Sequence, residues 1–147
     1  MNNEAVTQQF DVEYPDLTMI RAWYFMLKEN DEFQKAFYLP AIDGAWCEQM
    51  LSAFQTTAIR PDCRTNIKQA AACVFYKITK NHYRVDGNKR SAVICIFFFF
   101  LVNGFWLNMP SIELYELSRE LAMSKSQNEG KEIDRIASRF GLLLRTF

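Results

Sequence analysis

The sequence predicts an all-α fold in which about six helices surround one buried helix that starts near Asn88. Three observations carry this prediction. Apolar residues recur every three or four positions along most of the chain, and no stretch alternates convincingly as a half-buried strand does. Only five glycines and four prolines interrupt 147 residues, 50% of them hydrophobic and 15% aromatic. That is the composition of one packed domain over 1–147, with too little chain for two. The third observation is the run from Ala92 to Val102, eleven apolar residues that include Phe97, Phe98, Phe99 and Phe100. A membrane-spanning helix needs about 20, so the run predicts a helix apolar on every face and enclosed by other helices.

The elements follow in chain order. Pro15 and Asp16 start a helix on which Leu17, Ile20, Tyr24 and Leu27 share a face. Asp31 to Pro40 reads as a linker and Asp43-Gly44 as a turn, after which Trp46, Met50 and Phe54 line a second helix. The polar stretch Thr56 to Thr65 contains Pro61 and predicts an exposed loop with a short hairpin, a candidate docking loop for a target. Ile67, Ala71, Val74 and Ile78 mark an amphipathic helix ending near Asn81. The central helix stops at Asn103-Gly104 in the left-handed manner. Leu114, Leu117 and Leu121 line the next helix, 124–130 is a polar loop, and Ile133, Ile136, Ala137 and Phe140 line the last.

Charge excludes some classes of function. Lysine plus arginine equals aspartate plus glutamate at 17 each, so no strong net field directs the protein to nucleic acid or to an anionic membrane. Cys47, Cys63, Cys73 and Cys95 include no CxxC pair and accompany a single histidine, a poor donor set for zinc. The polar, acidic N-terminus has no apolar core of a signal peptide. Free, mostly buried thiols in a reducing cytoplasm are the expectation.

The densest polar chemistry lies just before the apolar run, in "NHYRVDGNKRSA". His82 is the only imidazole, so any histidine acid/base step near neutral pH must use it. Gly87 can turn consecutive amides the same way, Asn88 is a good N-cap, and the first-turn N–H groups beside Lys89 and Arg90 suit an anion. Asp86 next to a phosphate site suits magnesium, which is held by one or two carboxylates plus phosphate oxygens. Taken singly, each has a simpler explanation: a capping histidine, a common Asp-Gly turn, a solvated Lys-Arg pair. Together they share one loop leading into the most buried helix, where sites tend to sit.

This stretch resembles the signature of the Fic/Doc (Fido) family, HxFx(D/E)(A/G)N(G/K)R, with His82, Asp86, Gly87, Asn88, Lys89 and Arg90 at the family positions. The resemblance covers roughly 66–104 specifically, extends plausibly to the C-terminus, and says little about the first 40 residues. It implies a helical fold around the signature helix and transfer of a phosphorus group from ATP. Lys89 points to the Doc-like (death-on-curing) branch, which resembles a protein kinase. That branch transfers the γ-phosphate to a hydroxyl of a translation factor, whereas members with glycine there transfer AMP. Val93, where the Fic motif often has another arginine, points the same way.

By the same resemblance, His82 would be the general base and Asp86 would hold Mg²⁺. Gly87 and Asn88 would shape the phosphate cradle, and Lys89 and Arg90 would neutralise the phosphates. The family's phenylalanine two residues after the histidine is Arg84 here, beside Tyr83. Either Tyr83 takes over the anchoring, or Arg84 reaches solvent or a phosphate, since arginine cannot be buried unpaired. The inhibitory pattern (S/T)xxxE(G/N) is not met at Glu129-Gly130, because Lys125 stands at its first position. If activity is restrained, the resemblance to the Doc-like branch implies a separate antitoxin protein. The alternatives carried forward are AMP transfer and a catalytically silent binding module.

Overall fold

The computed structural model describes residues 11–29, 43–80, 87–125 and 128–146, the side chains of 27–28, 43–45 and 87–89 excepted. Among these residues the helices are α1 (Leu17–Glu29), α2 (Asp43–Ala58), α3 (Ile67–Lys80), α4 (Gly87–Val102), α5 (Ser111–Met123) and α6 (Glu129–Leu143). A 3-10 turn spans Pro61–Cys63, and two short strands, β1 (Phe105–Leu107) and β2 (Leu144–Thr146), pair antiparallel with Trp106 opposite Arg145. The all-α class and the buried central helix are as the sequence predicts.

The core is built around α4. Its residues from Ser91 to Ile96, with Phe99 and Phe100, are buried. Successive residues of a helix point about 100° apart, so four consecutive phenylalanines fan out around the axis. Each meets a different wall. Phe97 lies 6.0 Å from Trp106 on β1, and Phe98 stacks on Trp23 of α1 at 5.1 Å. Phe99 packs edge-on against Phe54 of α2 at 5.0 Å, and Phe100 edge-on against Phe140 of α6 at 5.6 Å. Such pairs add about 0.5–1.5 kcal/mol each beyond their buried area. The side facing α3 is different. On α3, Ala70, Ala71 and Ala72 are fully buried, and α3–α4 is the most extensive helix contact. Small residues let the two axes come close while α4 keeps its bulk for the other walls.

An extended strap, 11–16, ties the far end of α4 to the turn after α2. The Val12 N–H donates to Arg64 O at 2.7 Å, and the Tyr14 hydroxyl to Cys63 O at 2.6 Å. Asn103 receives the Glu13 N–H at 2.7 Å and returns its amide to Glu13 O and Phe99 O. Asp16 caps α1 by accepting the Met19 N–H at 2.9 Å.

Several expectations need correction. Asp43-Gly44 is no separate turn but opens α2. Thr56 to Thr65 is neither a loop throughout nor a hairpin: α2 continues to Ala58, and the 3-10 turn follows. Thr57 is fully buried there because its hydroxyl donates to Ala53 O at 2.8 Å, which removes the penalty of hiding it. The polar loop 124–130 is shorter, since Asn128 caps α6 by accepting the Lys131 N–H. The β1–β2 pair has no counterpart in the prediction. The linker at Asp31 to Pro40 lies outside the described residues.

Gly104 ends α4 at φ +83° with open space around its Cβ position. Gly104→Ala is therefore expected to cost about 1 kcal/mol through backbone strain alone. Gly130, in the first turn of α6, has ordinary φ and only a 3.9 Å contact with Asn128 Oδ1. Gly130→Ala is expected to stabilise by about 0.5 kcal/mol. Urea unfolding of the two variants checks the opposite signs.

Candidate functional site

The cationic segment Gly87-Asn88-Lys89-Arg90 forms the first turn of α4. The first four N–H groups of a helix have no partner inside it, and the macrodipole places about half a positive charge there. No acidic residue occupies this turn, so nothing on the helix competes for those donors. An anion is the ligand that such a terminus accepts.

What distinguishes this terminus is its anchorage. Ser91, one residue on, is buried, and its hydroxyl accepts the Trp46 indole N–H at 2.8 Å. Trp46 is itself 1% exposed and held by Tyr24 at 5.6 Å between ring centroids. Ala92, Val93 and Ile94 are buried directly behind it. The residues that follow the turn are thus tied into the core. Arg90 is half-buried at the edge of that packing.

His82, Arg84 and Asp86 lie outside the described residues, while Gly87, Asn88 and Lys89 are placed by their backbone. The structure thus brings Gly87 to Arg90 into one helical turn. α3 ends at Lys80 and α4 starts at Gly87, and these two helices pack on each other.

A feature that the sequence reading missed sits at the same end of α3. Ser52, Ala53, Thr56, Tyr76, Lys77 and Lys80 line a cleft of about 280 Å³ between α2 and α3. The Lys77 ammonium donates to Thr56 Oγ1 at 2.9 Å, and Lys80 to Ser124 O at 2.8 Å. Both cations lie in the last turn of α3, where the dipole favours them. Burial and the nearby Glu129 and Glu132 push the Tyr76 hydroxyl above its ordinary pKa, so it stays a donor. Glu132 accepts the Ser124 hydroxyl at 2.8 Å, and its other carboxylate oxygen is buried without a hydrogen bond. The first turn of α6 offsets part of that cost. The sequence signal for the cleft was Lys77 and Lys80 at i, i+3, and the cleft forms only once α2 packs alongside.

Among the described residues, no group of three or more His, Cys, Asp and Glu side chains could hold a metal ion. No described helix is long and apolar enough to cross a membrane. No family model, curated protein or solved structure matches the chain.

Ser91→Ala leaves the Trp46 N–H buried without an acceptor, an expected loss of about 1–3 kcal/mol. Adding Trp46→Phe to Ser91→Ala should cost less than the sum of the two single changes. A double-mutant cycle by chemical unfolding measures that coupling.

Proposed function

We propose that this protein is a Doc-like phosphotransferase, moving the γ-phosphate of ATP to a hydroxyl of a target protein. The observation that supports the reading most is positional. The residues that resemble the family's phosphate-binding signature are the first turn of a helix whose next six residues, Ser91 to Ile96, are all buried in the core. Phosphoryl transfer asks a protein mainly to hold phosphates still and to neutralise charge, and a rigid cationic terminus suits that task.

The fit to the nucleotide rests on this chain's own groups. The first-turn amides, which have no partner within the helix, and the Arg90 guanidinium are donors, and the turn itself holds no acidic residue. Lys89 would add a second cation on the same turn. His82 would take the proton from the attacking hydroxyl. Magnesium, where bound, would be held by Asp86 and would neutralise phosphate charge. An antitoxin partner and a translation factor as target belong to the same reading.

Labelled ATP tests it. The full chain is incubated with cell lysate and ATP labelled at the γ or the α phosphate, beside His82→Ala. The expected outcome is γ label on protein targets, lost in His82→Ala. α label alone would make the protein an AMP transferase. Absence of any His82-dependent label, with ATP binding retained, would make it a binding module.

A further inference from the structure

Away from the signature, two thiols lie where the 3-10 turn packs on α3. Cys63, on the 3-10 turn, and Cys73, on α3, are both fully buried, and each thiol perturbs the ionisation of the other. The Arg60 guanidinium donates from one terminal nitrogen to Cys73 Sγ at 3.4 Å. Its other two nitrogens fork onto Asp62 at 3.2 and 3.0 Å. The Thr57 hydroxyl, bonded to Ala53 O at 2.8 Å, also lies 3.5 Å from the same sulfur and can turn to it. Tyr14 closes the other side, its hydroxyl bound to Cys63 O. The Arg60 and Asp62 side chains are 33% and 48% exposed, so this ion pair stands between Cys73 and solvent.

We infer that Cys73 and Cys63 form an oxidant-responsive pair, in which a hydroperoxide oxidises Cys73 and Cys63 resolves the product to a disulfide. Buried thiols are ordinarily inert, and reactive ones sit beside cations and donors. Cys73 has both. The charged and titratable groups facing it are Cys63, Arg60, Asp62, Lys77 and Tyr14. The neighbouring Cys63 thiol, together with Thr57, Lys77 and Arg60, holds Cys73 below the ordinary thiol range against its burial. Cys63 is pushed up and keeps its proton. One thiolate beside one thiol is the arrangement that the two steps need. Cys95 contrasts with this, since burial pushes it up.

The steps balance. The Cys73 thiolate attacks the terminal oxygen of the hydroperoxide; the S–O bond forms, the O–O bond breaks, and the alkoxide leaves and takes a proton from water. Arg60 and Thr57, which hold the sulfur, are placed to hold the departing oxygen as well. The Cys63 sulfur then attacks the sulfenic sulfur. The S–S bond forms, and the hydroxyl leaves as water with the Cys63 proton. Two thiols lose two electrons, and the peroxide becomes an alcohol (water, for hydrogen peroxide) and water. The disulfide pins the 3-10 turn to α3 and removes the thiolate that Arg60 holds. This inference does not depend on the proposed phosphotransferase activity.

Hydrogen peroxide titration of the reduced full chain tests it, with non-reducing peptide mapping and fragment sequencing. The expected result is a Cys63–Cys73 link that appears at least about tenfold faster than oxidation of Cys95. In Cys63→Ser, the expected product is a sulfenic acid at residue 73, captured by dimedone. The wild-type map decides even if that variant folds poorly. Oxidation of Cys95 as fast as Cys73, or Cys73 oxidised without a link to Cys63, overturns the inference.

Discussion

Along its buried stretch α4 has no polar face to offer to water, so every other element is placed by the need to enclose it. α3 meets this need with alanines, which bring the two backbones close. The remaining directions are each taken by one phenylalanine of the run and an aromatic partner on β1, α1, α2 or α6. At this density of close-packed rings, a shift of one helix strains several contacts at once. The polar ends of α4 inherit that rigidity. One end is tied down by Asn103 and the strap at 11–16; the other carries Gly87 to Arg90.

Electrostatics are local in this protein. With equal numbers of acidic and basic residues, attraction of a distant partner is weak, and any anion must be recognised by contact. Placement supplies the contact. The first turn of α4 adds helix-terminal amides to Lys89 and Arg90, while the last turn of α3 sets Lys77 and Lys80 along the cleft with α2.

Much of this was legible in the sequence because the signals are local. Ile67, Ala71, Val74 and Ile78 repeat at helical spacing, and Asn103-Gly104 stops α4 where it should, with Gly104 at positive φ. The phenylalanine run was legible as buried, but not which wall each ring would meet, since that depends on tertiary placement. β1 and β2 escaped because three residues carry no period. Thr57, Arg60, Cys63 and Cys73 escaped for another reason. The first three lie in a stretch that looks polar and loop-like, and only the packing of the turn on α3 brings them into a buried cluster with Cys73. The signature, by contrast, is contiguous from His82 to Arg90, so its residues could be read together without a fold, although His82 and Asp86 lie outside the described residues.

The most direct test of the account is amide hydrogen exchange across α4, with and without saturating magnesium and ATP. The first-turn amides have no partner within the helix and should exchange quickly in the free protein. The account predicts that those of residues 87–90 slow when nucleotide is present, that Asp86→Ala weakens the magnesium dependence, and that the core amides from Ala92 onward stay slow throughout. Unchanged exchange at 87–90 under saturating nucleotide would contradict it.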